Sequence, residues 1–326
     1  MAKSFLLAQF PNLRLLTGTT FVAVETDASR VKQVVLTRDG QEFRVRSHVV
    51  IDATADGNVC VAAGGDYRVG EDAQADFHEP HAPVHPQRRV NAIDLIYCVQ
   101  HEGKPLPFQL PEDAGAEFRK TPGHVYECPP GLRFVNTCGM LPGIRWLDGD
   151  RADLIAEARR KVWAHFDYLR KTDPYYRNCR LMGTAPQMGV RETRRIVCEY
   201  MLTENDVLAG WDDQPHGDMI AMSDHPLDVH GEGHLHQWLA KPYGVPFRCL
   251  IPLGWENLLV AGRGAGFSHI AASSCRLSRT MMALGEAAGL AGSIMAGKNL
   301  SAREVPISEL TEKLIIDDRT DFMPAT

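Results

Sequence analysis

Asn257 to Ala296 reads NLLVAGRGAGFSHIAASSCRLSRTMMALGEAAGLAGSIMA. Its first run, Leu258-Leu259-Val260-Ala261, is short, wholly apolar and closed by Gly262, the pattern of a buried strand. Gly262-Arg263-Gly264-Ala265-Gly266 follows, with three glycines in five residues. Such a turn lets the backbone take positive φ and approach a ligand with no Cβ atoms in the way. From about Ser278 to Ala296 the chain is mostly Ala, Gly, Met and Leu, which predicts a helix. Its small residues repeat at i, i+4 (Gly285 and Gly289, Ala288 and Gly292), so both pairs are expected on a face packed close to a neighbour. Strand, glycine turn, polar stretch and helix together present backbone N–H groups and a helix N-terminus to an anionic or electron-rich group. A plain buried strand and helix joined by a flexible loop has the same pattern.

Working upstream, His48 to Thr54 (HVVIDAT) is a second buried strand that ends in small residues, Ala55-Asp56-Gly57, before a short Ala-rich helix. Two such strands are expected side by side in one parallel sheet, with a ligand at their carboxyl ends. Residues 4–10 read as the end of a helix closed by Pro11, and Leu13 to Val24 as a strand. Val31 to Arg38 and Gln41 to Arg46 form a hairpin through Asp39-Gly40. Arg151 to Arg170 is amphipathic, with Leu154, Ile155, Ala158, Val162, Phe166 and Leu169 on one helical face. Gly183 to Met201 reads as a strand carrying Arg191, Arg194 and Arg195. Thr203 is a helix N-cap, with Asp206 at the third helical position. Residues 211–245 read as loop with five histidines, and Val245 to Ile251 as a return to strand.

A chain of 326 residues with 44% hydrophobic content buries a full core, and two domains are expected. A net charge of −6 and the lack of any long basic run argue against a nucleic-acid or anionic-membrane surface. The longest apolar stretch carries Glu286 at its middle, so it reads as a buried helix and not a membrane span. The apolar stretch after Met1 is too short for a secretory signal. Eight scattered cysteines without a C-x-x-C pair fit reduced thiols in a cytoplasm.

Taken together, HVVIDATADGNVCVAAGGDYRVGED, GVRETRRI followed by LTENDVL, DVH, YGVPFRCLIP and NLLVAGR…SHIAASSCR…MALGEAAGLA resemble the FAD-dependent oxidoreductase family related to glutathione-reductase-type flavoproteins. The resemblance runs from about residue 13 to the end, and it rests on the order and spacing of the motifs more than on any one of them. It implies an α/β fold: a three-layer Rossmann-like FAD-binding domain interrupted by an α+β substrate domain with an antiparallel sheet. The implied boundaries are 1–66 for the first part of the FAD-binding domain and 67–245 for the substrate domain. The FAD-binding domain then returns over 246–300, and 301–326 is a C-terminal tail. The family opens with a strand and a G-x-G-x-x-G turn for the ADP half of FAD, and no glycines here have that spacing. The resemblance therefore implies an incomplete FAD-binding unit: a truncated piece, a remnant that no longer binds FAD, or one subunit of a split enzyme whose partner chain supplies the missing segment.

By position in the motifs, the resemblance assigns Thr54, Ala55, Asp56, Gly57, Gly262, Arg263, Ser278 and Met281 to the cofactor. The implied activity is hydride transfer between a small organic substrate and FAD, with a histidine moving the accompanying proton. His269 and His230 are the candidate acid–base groups. Arg276, just ahead of the small-residue helix, is the candidate cation beside the flavin, and His269 is expected as a neutral imidazole on a loop between them. Arg191 is a candidate for holding a substrate carboxylate or hydroxyl by a forked contact. Pairing of these arginines with Glu192, Glu199 or Asp206 is the structural alternative. His230, His234 and His236 have no accompanying carboxylate or cysteine in a metal-binding pattern, so no metal site is assigned. A non-catalytic subunit that keeps the fold and binds a partner chain is the alternative reading of function, and a metal enzyme built on the histidine-rich segment is a weaker third.

Overall fold

The computed structural model describes residues 7, 9–115, 118–120 and 122–314. The helix end read over residues 4–10 lies mostly outside them. The chain is a mixture of helices and strands, and its centre is the pair of strands singled out above. Val50–Asp52 and Leu258–Val260 lie parallel and in contact, with Leu258 opposite Val50 and Val260 opposite Asp52. The later strand is fully buried. Asp52 ends the earlier strand and is itself fully buried. One of its oxygens accepts from the Thr54 N–H and hydroxyl, the other from the amides of Val59 and Cys60. The carboxylate thus satisfies two of the open N–H groups of the helix Asn58–Ala63 and sits at the positive end of its dipole.

The long helix Ser278–Lys298 returns along these strands. A Cβ on Gly292 would stand 3.3 Å from Ile51 and 3.6 Å from Val49, so the later turns of the helix lie over the start of the strand. Its N-terminus is therefore at the strands' carboxyl ends. Ala288 and Gly292 do form a close-packed face. Gly285 and Gly289 do not: both are exposed, with nothing near where a Cβ would be. Only one of the two small-residue pairs is internal, because a single helical stripe meets the sheet.

Arg30–Arg38 pairs with Gln41–Val45 through Asp39 and Gly40, whose φ values of 50° and 77° fit the expected two-residue hairpin turn. The strand expected from Leu13 begins only at Thr19 and runs to Asp27, on the other side of Arg30–Arg38. The interposed segment builds a four-stranded antiparallel sheet, in the order His124–Glu127, Leu132–Asn136, Tyr97–His101, Cys179–Thr184. The amphipathic helix, observed as Arg151–Thr172, buries Leu154, Ala158, Val162, Phe166 and Leu169 in the same cluster as Tyr97, Val99 and Val135.

Three expectations are corrected. Gly183 to Met201 is not one strand; only Cys179–Thr184 and Arg195–Ile196 are extended in ladders. The backbone donors that follow go to four different places: Ile196 to Gly264, Val197 to Asp66, Glu199 to Ile251 and Leu202 to Gly266. No single neighbour supplies a ladder. Residues 211–245 are not a loop throughout. Met219–Ser223 pairs with Tyr243–Pro246, and Leu227–Val229 with Leu235–Gln237. The strand expected from Val245 to Ile251 stops at Pro246, which has no amide hydrogen to donate, and Phe247–Leu250 is a 3₁₀ turn.

The buried apolar side chains form two clusters. One draws on Val31, Val59 and Cys60 and then on residues from Ile196 to Leu310; the other spans Ile93 to Met188. Residues 196–245, grouped with the interposed segment by motif, contribute to the first cluster. So do Ala302, Val305 and Leu310 from the segment read as a tail.

Candidate active site

Thr54, Ala55, Asp56, Gly57, Gly262 and Arg263 come together as expected, because the two parallel strands end side by side. Gly262 has φ 115°, a conformation that side-chain-bearing residues rarely take, and the space beside it is open. Asp56 is the hub of this shelf. One oxygen accepts from Thr193 at 2.8 Å and from Arg263 at 2.9 Å, and the other lies 3.5 Å from Arg151 at the start of the amphipathic helix. Burial lowers the Arg263 pKa despite Asp56, and its Nε has no protein partner. Arg194 donates to Asn58 at 2.6 Å, with its own Nε likewise unpartnered. Ser278 is exposed at the start of the long helix, which no side chain caps, and Met281 packs half-buried against the first core cluster.

Glu192 and Thr193 face different ways from adjacent positions. Thr193 reaches the shelf; Glu192 reaches His269. His269 is not on a loop: it is the first residue of a short helix, His269–Ser274, capped by Ser268. The His269 ring is buried, with Nδ1 2.9 and 3.0 Å from the two oxygens of Glu192. Glu192 also accepts from the Asn91 amide at 3.0 Å and pairs with the fully buried Arg195 at 3.1 Å. Burial by itself would depress the imidazolium, but Glu192 outweighs it and the His269 pKa is raised. Glu192 thus favours the protonated ring over the neutral one that was expected. Its Nε2 has no hydrogen-bond partner and faces a small pocket shared with Glu71, Asp72, His81 and Arg89.

His230 behaves in the opposite way. Its Nε2 lies 2.8 Å from Asp228, and its amide donates to the Asn91 side chain at 2.7 Å. Burial lowers its pKa, with Arg191 and Arg276 adding to the effect against Asp228. At neutral pH it is an uncharged imidazole whose Nε2–H is held by Asp228, which leaves the lone pair on Nδ1. It lines an apolar cavity of about 290 Å³ with Val90, Ala92, Met140, Leu141 and Ile144. Arg276 donates to the Asp228 side chain at 3.0 Å and to its carbonyl at 3.1 Å; burial and Arg191 pull its pKa down to about 10, still protonated at neutral pH. Arg191 lies 2.5 Å from Asp94 and donates to the Ala92 carbonyl at 2.6 Å. Of the three arginines in that stretch, Arg195 alone pairs with Glu192; Glu199 pairs with Arg303 and Asp206 caps its own helix. His236 and His230 share Asp228, while His234 faces the Val229 carbonyl.

The profile of the FAD dependent oxidoreductase family matches residues 1–314. The chain belongs to that family, and its cofactor is FAD. Among solved structures, a triple mutant of the flavin-dependent brominase Bmp2 is similar over 90% of this chain and 54% of that one, at 13% identity and a TM-score of 0.34. The myxobacterial chondrochloren halogenase CndH is similar over 90% of this chain and 49% of that one, at 13% identity and a TM-score of 0.32. The chain thus spans about half the length of these two structures. No curated protein matches it. Among the described residues, no helix is long and apolar enough to cross a membrane.

The residues present fit part of FAD. The open space at Gly262 and the unpartnered Nε groups of Arg263 and Arg194 are clearance and donors suited to its polar, anionic middle. Sequence reading missed Glu192 as the partner of His269, and Glu71, Asp72 and Arg89 around the small pocket. The available signal was weak: one glutamate inside an arginine-rich stretch, and an acidic pair after Gly70 in a proline-rich region.

Proposed function

We propose that this chain is the substrate-facing part of an FAD-dependent oxidoreductase that moves a hydride between a small organic substrate and FAD while a histidine moves the proton. The supporting observation is a pair of histidines held by carboxylates, His269 with its pKa raised by Glu192 and His230 with its pKa lowered by burial. Such a split assigns an acid and a base at one pH. FAD, when bound, supplies the two-electron exchange. His269 holds a proton on Nε2 at the small pocket, and Glu192 fixes its ring through Nδ1. His230 offers a lone pair beside the apolar cavity, and Arg276 with Arg191 keeps it uncharged. Arg276 also places a buried cation on this side of the molecule, suited to an anionic reduced ring. Thr193 and Glu192 are consecutive, so the proton site and the strand-end shelf are one residue apart along the chain.

In this reading 1–66 and 246–300 form the interrupted Rossmann-like domain, 67–245 the substrate domain and 301–326 the tail. The family's glycine-turn segment, carried by a partner chain or by a longer form of this chain, completes the FAD site, and the setting is a reducing cytoplasm. Anaerobic stopped-flow mixing of the FAD-loaded assembly with small alcohols, amines and acids tests it. Bleaching of the flavin band by one of them is expected, slowed about 100-fold in His230→Ala, which removes the base that takes the substrate proton, with FAD still bound. Unchanged rates in that variant would move the proton role to another group or to solvent. A protein that holds FAD yet is bleached by none would favour the non-catalytic subunit.

A further inference from the structure

The pocket at His269 has a chemistry of its own. It encloses about 110 Å³. Its lining includes the polar Glu71, Arg89 and His269 and the apolar Pro83, Val229, Leu235 and Ile270. Most polar groups around it are already satisfied. Asp72 takes Arg195, Arg68 and the His269 amide, and His81 is paired with Glu204. Three groups are left. His269 Nε2 and Arg89 Nε are buried atoms with no hydrogen-bond partner. Glu71 binds Arg89 through one oxygen at 2.7 Å, while its other oxygen lies 4.0 Å from His269 Nε2. That span is too long for a hydrogen bond and right for one oxygen atom between them. Gly233 closes the same corner: a Cβ there would stand 2.9 Å from the free Glu71 oxygen and 3.3 Å from Arg89.

We propose that this pocket binds the hydroxyl end of a small alcohol. A hydroxyl oxygen accepts two hydrogen bonds and donates one. With the His269 ring protonated, as its Glu192 partner favours, it takes the N–H groups of His269 and Arg89 and gives its hydrogen to Glu71, which among small groups water alone also does in one atom. A carboxylate meets the Glu71 charge, and an ammonium meets two N–H donors with nothing to accept them. A ketone satisfies both donors but leaves Glu71 unpaired. The volume sets the size: a 150 Å³ apolar cavity takes benzene, so this one holds about four or five heavy atoms, with carbon against Val229, Leu235 and Ile270.

The inference rests on the proposed function only in making the alcohol a candidate substrate; the binding itself needs no flavin chemistry. Ligand-observed NMR titrations with butan-2-ol, butan-2-one, butan-2-amine and 2-methylpropanoate test it on the 326-residue chain. Butan-2-ol is expected to bind saturably, with the amine and carboxylate at least tenfold weaker and the ketone between. Gly233→Ala, which puts a methyl at the Glu71 corner, should weaken the alcohol at least tenfold. Glu71→Gln removes the repelling charge and should narrow the alcohol-to-carboxylate ratio at least tenfold, which decides the matter should Gly233→Ala fail to fold. Equal binding of carboxylate and alcohol, an unaffected Gly233→Ala, or no saturable binding by any of the four (a bridging water only) would each overturn it. Alcohol binding without flavin bleaching would instead count against hydride transfer alone.

Discussion

Glu192, buried against His269, favours the charged form of its imidazole. The consequence can be measured: Glu192→Gln should bring the imidazole pKa down, because burial then acts without its opposing partner. An NMR titration of the ring in both proteins checks this, and an unmoved midpoint would assign the shift to Glu71 instead. The pH dependence of stability follows in sign. A raised folded-state pKa stabilises fully below the unfolded value, and that contribution is lost as pH rises through the folded value. Unfolding midpoints across that range should therefore fall with pH less steeply in Glu192→Gln than in the parent. Asp52 is the second such residue. With four donors on one buried carboxylate, Asp52→Ala should lower stability by about 3 kcal/mol, read from denaturant unfolding. At this scale the sequence was legible in part. His230, His269 and Arg276 were singled out by type and position, and each meets a carboxylate in the fold. Glu192 was not, because its role depends on Asn91, Arg195 and His269, which only the fold brings to it.

Elements with one strong local signal were readable. The strand Leu258–Val260, the hairpin at Asp39-Gly40, the amphipathic helix and the Thr203 cap all carry such a signal. Where backbone partners are scattered, as over residues 196–202, or strands are only three to five residues long, as over 219–246, no local period exists to be read. The helix Ser278–Lys298 lies between these cases: its existence was plain, but which glycines face inward depends on the sheet beneath. Gly285→Ala on the open face should stabilise by about 0.5–1 kcal/mol, since a helical glycine only adds unfolded-state entropy there. Gly292→Leu should instead cost about 1–3 kcal/mol by forcing a side chain against Ile51. Thermal melts of the two variants should move in opposite directions; equal shifts would mean the helix is rotated from the orientation described.

Across the whole molecule, the segment from Glu192 to Ile196 follows Met188 of one apolar cluster and enters the other at Ile196. That segment touches the strand-end shelf through Thr193, His269 through Glu192 and the first core through Ile196. The central claim is that FAD lies on the shelf, where Gly262 leaves room for it. The measurement that bears on it most directly is an FAD titration of the chain together with a supplied glycine-turn segment, followed by visible absorbance. One FAD per chain is expected for the parent, with binding weakened at least 100-fold in Gly262→Val, whose side chain at φ 115° enters the open space. FAD bound as tightly by Gly262→Val as by the parent, with both proteins folded, would contradict the account.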